Sequence, residues 1–128
     1  MVTPAEVRRM VEGIAGSVDT SDDRRLAFAV AVTGKGFAWS FNERVHPKKP
    51  RVPRLDILAV RCPFERKALL LEAAPDRFFD DDHYRGYPAV LVRLDVVEAD
   101  ELAGLLADAA RIVAEAQAKP KRPRPRSR

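Results

Sequence analysis

The stretch Leu26-Ala27-Phe28-Ala29-Val30-Ala31-Val32, Thr33-Gly34-Lys35-Gly36, Phe37-Ala38-Trp39-Ser40-Phe41-Asn42 sets two alternating runs on either side of a glycine-bearing turn. A period of two puts Leu26, Phe28, Val30 and Val32 on one face and three alanines on the other. It likewise separates Phe37, Trp39 and Phe41 from Ala38, Ser40 and Asn42. Gly34 and Gly36 are free to take positive φ, so the reading is a β-hairpin. The small alanine face predicts that another group approaches it closely.

Upstream, Thr3-Pro4-Ala5-Glu6 forms a capping box with proline at the first helical position. Val7, Met10, Val11 and Ile14 follow at helical spacing, which predicts a helix over about residues 4–15, with Gly16 as its stop. Residues 17–25 are charged, without an apolar run, and read as a polar loop. Downstream, residues 44–54 hold three prolines, five basic residues and no acid, and read as an extended loop. Leu55–Cys62 reads as a third strand, and Phe64–Ala73 as a short helix with Phe64, Ala68 and Leu71 on one side. A short pairing segment is expected near Phe78–Phe79, and Val90, Val92, Leu94 and Val96 mark another strand. Leu102, Leu105, Leu106, Ala109, Ile112, Val113 and Ala116 predict a long amphipathic helix over about 99–118. The resulting order, α-β-β-β-α-(β)-β-α, points to an α+β two-layer sandwich: an antiparallel sheet with helices packed on one face. Crossover helices between successive strands are missing, so a doubly wound parallel sheet does not fit.

The chain has 128 residues, a single-domain length. Residues 1–118 are expected to form that domain and the Pro/Arg stretch 119–128 a disordered basic tail. The overall charge of +4 conceals a division. Residues 1–118 hold 17 basic residues against all 19 acids, a balance of −2, and without residues 44–54 the balance is 12 against 19, or −7. The protein reads as an acidic body with two basic appendages. The longest run free of charge and proline, Leu26–Gly34, is far below the ~20 apolar residues of a membrane span. No secretory signal core opens the chain, so a cytoplasmic protein with no membrane partner is expected.

Little in the sequence supports catalysis or cofactor binding. Cys62, the single cysteine, excludes an internal disulfide framework and lies on the apolar side of its strand, where it reads as a small buried hydrophobe. There is no nucleophile elbow, and Gly34-Lys35-Gly36 is too short to cradle phosphate. Asp80-Asp81-Asp82-His83 is no metal loop, because consecutive acids cannot converge on one ion; a solvated turn is expected. No cofactor, no metal and no enzymatic activity are therefore expected.

The segment Arg77-Phe78-Phe79-Asp80-Asp81-Asp82-His83-Tyr84-Arg85-Gly86-Tyr87-Pro88-Ala89-Val90-Leu91-Val92-Arg93-Leu94 resembles the signature of the MmcQ/YjbR-like family. Ala15-Gly16-Ser17-Val18, Gly34-Lys35-Gly36-Phe37-Ala38 and the helix start at Glu98–Leu102 agree with it, over about residues 3–118. Ala15 stands where the family commonly has proline, and residues 44–54 and the tail look like additions. The resemblance implies a fold of the "double wing" kind described as DNA-binding, similar also to secretion-chaperone-like sandwiches. It carries over no catalytic residues, and fold alone does not fix function.

Two basic elements then carry a nucleic-acid reading. One is Arg44, Lys48, Lys49, Arg51 and Arg54 on the proline-stiffened loop; the other is Lys119, Lys121, Arg122, Arg124, Arg126 and Arg128 in the tail. Both suit phosphate contact without base readout, so DNA is the expected partner. Aromatics do not interleave with these basics along the chain, which argues against a base-stacking platform. His83, Tyr84 and Tyr87 in the motif are candidates to line a groove, or to serve as packed rings with bonded hydroxyls. The alternative function is a protein-interaction or chaperone-like module with no nucleic-acid role.

Overall fold

The computed structural model describes residues 1–44 and 46–118; the tail residues Lys119, Lys121, Arg122, Arg124, Arg126 and Arg128 lie outside them. In chain order the described elements are α1 (Pro4–Glu12), β1 (Ser17–Asp19), β2 (Ala27–Val30), β3 (Gly36–Glu43), β4 (Val52–Arg61), α2 (Phe64–Ala73), β5 (Phe78–Phe79), β6 (Ala89–Arg93) and α3 (Ala99–Ala118). The strands form one antiparallel sheet in the order β1-β2-β3-β4-β6-β5. The α+β class and the order of elements are as the sequence predicts, with β1 as a short addition.

The capping box is formed: Thr3 Oγ1 accepts from the Glu6 amide at 3.2 Å, and Glu6 Oε1 accepts from the Thr3 amide at 3.1 Å. Helix α1 stops three residues earlier than its periodicity suggests. Gly13 is a poor helix former, and Ser17 Oγ donates to the carbonyls of Val11 and Ile14 at 2.9 and 2.7 Å, closing the helix end. The chain then turns through Gly16, whose φ of +79° favours glycine. Ser17–Asp19 is an edge strand rather than a polar loop: Ser17 pairs with Val30, Val18 with Ala29 and Asp19 with Phe28. An edge strand of three residues needs backbone pairing but no apolar run, so hydropathy did not reveal it.

Two apolar clusters lie on opposite faces of the sheet. The larger gathers Val7 and Val11 of α1, Phe28, Val30, Phe37, Leu58, Val60, Phe78, Val90 and Val92 of the strands, and Leu102, Leu106, Ala109 and Val113 of α3. The smaller comprises Phe41, Ile57, Ala59, Tyr84, Ala89 and Leu91, with Trp39, Phe79 and Tyr87 packed on it. A β-bulge divides the aromatic residues of β3 between them. Phe28 faces Ala38 while Ala29 faces Gly36, which leaves Phe37 as an extra residue. Phe37 therefore joins the helix-side core and Trp39 and Phe41 the other, whereas strict alternation predicts one face for all three. Val32, which alternation sets on one face with Leu26, Phe28 and Val30, is 91% exposed, because β2 ends at Val30 and the turn begins there.

Strand β4 begins at Val52, three residues before the expected Leu55, so the basic loop ends at Arg51. Residues 52–54 pair with β3 alone, an edge position in which proline at 53 is tolerated. Strand β6 ends at Arg93, so Leu94 is buried beyond it while Val96 is exposed. The face of α2 also differs from its apolar spacing. Phe64 is 54% exposed and Ala68 is exposed, while Lys67 is buried and Leu70 and Leu71 pack on the main core.

Candidate functional site

Residues 80–88 cross the sheet face opposite α1 and α3, and Lys67 fixes them there. Lys67 is 4% exposed. Its Nζ donates to the carbonyls of Tyr84 at 2.8 Å and Tyr87 at 3.0 Å, and pairs with Asp80 at 3.1 Å. One ammonium thus satisfies two loop carbonyls and one carboxylate, which offsets the cost of burying it. Asp81 Oδ1 accepts from the Tyr84 amide at 2.9 Å and its carbonyl from the Arg85 amide at 2.9 Å, while Asp82 pairs with exposed Arg85. The three consecutive acids therefore have three different partners and build a turn. Gly86, at φ +77°, completes it.

This loop brings His83, Tyr84 and Tyr87 together beside Trp39. Tyr84 is buried, with its ring 6.1 Å from Phe41, 5.9 Å from Tyr87 and 5.1 Å from exposed His83. Trp39 Nε1 donates to Tyr84 Oη at 2.8 Å. Arg61 donates from Nη2 to Tyr87 Oη at 2.6 Å and from Nε to the Gly36 carbonyl at 3.1 Å. Its guanidinium lies 5.7 Å from the Trp39 ring centre and 5.3 Å from that of Tyr87, within cation–π range of both. Trp39, Asn42, His83, Tyr84 and Tyr87 line an open cavity of about 370 Å³. Burial pushes the Tyr84 phenol above the ordinary tyrosine range, with the Trp39 hydrogen bond and the charge of Arg51 acting the other way.

The basic loop reaches this cavity. Arg51 Nη1 donates to the carbonyl of Asn42, a lining residue, at 3.0 Å. The loop bends on itself: Arg44 Nη1 donates to the Pro47 carbonyl at 3.0 Å, and the Lys48 amide to His46 Nδ1 at 3.2 Å. Arg44, Lys48, Lys49 and Arg51 are exposed, and among the described residues none of their cationic groups pairs with a carboxylate. Arg54 is placed differently. On β4 it donates to Glu43 at 2.7 Å and to both oxygens of Asp56 at 2.8 and 2.7 Å. That fork holds the Asp56 carboxyl below its usual range and raises the guanidinium further. Cys62 is buried, and burial pushes its thiol up. Trp39, Asn42, Arg61 and Lys67 were not singled out from sequence. The alternation of β3 was the only signal for Trp39, and nothing marked Lys67, because charged residues are assigned outward on an amphipathic helix.

The family described as YjbR matches residues 15–111. The uncharacterized proteins Rv2570 of Mycobacterium tuberculosis and Mb2600 of Mycobacterium bovis are each 31% identical over 111 residues, covering 85% of this chain and 86% of their own. Among solved structures, the Deinococcus radiodurans protein DR2400, a DUF419 domain, superposes with a TM-score of 0.65 at 21% identity, covering 100% of this chain and 96% of that one. That likeness concerns the fold.

Proposed function

The chain belongs to the YjbR family, and from that premise we propose that it is a non-enzymatic, cytoplasmic protein that binds DNA through phosphate contacts largely indifferent to sequence. One observation carries the reading: Arg44, Lys48, Lys49 and Arg51 stand exposed on one loop, next to an aromatic cavity, on a body that is otherwise acidic. A cluster of this kind is free to displace counterions from a phosphate backbone. Arg54, held by Glu43 and Asp56, contributes mainly to the base of the loop. Cys62 is no candidate nucleophile, because burial pushes its thiol up. No helix among the described residues is long and apolar enough to cross a membrane.

Fluorescence anisotropy with a random DNA duplex over a salt series tests the proposal. Each phosphate neutralised adds roughly 0.9 to the slope of log affinity against log salt. Lys48→Ser with Lys49→Ser should therefore lower that slope by about 2. Absence of binding at low salt, or a slope unchanged by the double variant, overturns it. The second reading, a protein-interaction or chaperone-like module, draws on Phe64 and Leu69, which are 54% and 66% exposed on α2. Recovery of one defined protein partner after nuclease treatment, lost in Phe64→Ser, favours it.

A further inference from the structure

We propose that the cavity lined by Trp39, Asn42, His83, Tyr84 and Tyr87 receives an unpaired nucleobase of a single-stranded nucleic acid whose phosphates meet Arg44, Lys48, Lys49 and Arg51; the inference rests on nucleic-acid binding by those residues.

The basic and aromatic residues are separate in sequence, but the fold joins them through Arg51 and Asn42. Four aromatic side chains around an open cavity offer ring faces and edges to a planar ligand, and base–aromatic stacking tolerates every base. The polar groups narrow the choice. Tyr84 Oη already accepts from Trp39 and Tyr87 Oη from Arg61, so each hydroxyl has its own proton left to donate. The site therefore suits a ligand rich in acceptors, such as base carbonyls and ring nitrogens. Burial of Tyr84 keeps that phenol in its donor form. Asn42 presents an amide with one acceptor and two donors, which matches the mixed edge of a base.

Charge decides against the other common occupant of an aromatic cluster, a quaternary or methylated ammonium. Arg61 already lies against the Trp39 and Tyr87 rings and holds the cation–π position there. A further cation would be repelled, whereas a base joined to phosphates would be drawn in. Duplex bases are stacked away from such a cavity, so the site selects for single strands or flipped bases.

Trp39 is the chain's one tryptophan, so its fluorescence reports on this cavity. The full chain is titrated with an eight-nucleotide oligothymidylate and with an abasic oligomer carrying the same number of phosphates. The thymidylate should bind about tenfold tighter and quench Trp39, while the abasic oligomer should leave the emission nearly unchanged. Asn42→Ala and His83→Ala, both at exposed positions, should bring the affinity ratio toward one. Equal affinities for the two oligomers, or a ratio unchanged in both variants, overturns the base site while leaving phosphate binding intact. Failure of both oligomers to bind at low salt overturns this inference and the phosphate reading together.

Discussion

Replacing Lys67 with methionine keeps the aliphatic stem but leaves the carbonyls of Tyr84 and Tyr87 and the Asp80 carboxylate without their shared donor. Each keeps one backbone donor, the amides of Tyr87, Ala89 and Asp81 respectively, so the cost is that of lost bonds to a charged donor, about 1.5–3 kcal/mol. Urea unfolding of Lys67→Met should show a lower midpoint at unchanged slope, together with altered Trp39 emission as residues 80–88 loosen. Tyr84 gives a test in pH. Its pKa is raised in the fold by burial, so the folded chain holds the phenol proton after the unfolded chain has released it. The stabilisation is complete below the ordinary tyrosine range near 10 and falls as pH rises through it. Unfolding midpoints measured across the alkaline range should decline less steeply in Tyr84→Phe than in the natural chain.

At the scale of elements, the loop 80–88 depends on the backbone of Gly86, whose φ of +77° an L side chain rarely adopts. A Cβ there meets no neighbour within 4 Å, so the penalty of Gly86→Ala is conformational, about 1 kcal/mol, and thermal unfolding should register it. Gly86→Asn should cost less, since asparagine tolerates the left-handed region. Most elements were legible because their signals are local: the capping box of α1, the α2 and α3 stretches, and the two runs of the hairpin. What escaped depends on partners distant in sequence. The bulge at Phe37 arises from pairing with β2, and β1 exists because β2 offers it an edge. The site was half legible for the same reason: the motif flagged His83, Tyr84 and Tyr87, but their neighbours Trp39 and Arg61 come from strands over 20 residues away in the chain.

Across the whole molecule, charge is segregated, and the tail at 119–128 holds six basic residues and no acid. If all six engage phosphates, truncation after residue 118 should reduce the salt slope of duplex binding by about 5, well beyond the loop variant's effect. The same truncation should leave the preference of thymidylate over the abasic oligomer in place, because that preference belongs to the cavity. The two faces of the sheet also differ in how they are covered. One lies under α1 and α3, whereas the other lies under a loop held by Lys67, by hydrogen bonds from Trp39 and Arg61, and by aromatic contacts. Unequal cover of this kind gives unequal protection. Amides of residues 84–87 should exchange with solvent through a sub-global opening that leaves the helix-side layer closed, while those of Leu58, Val60, Val90 and Val92 should exchange only when the entire domain unfolds.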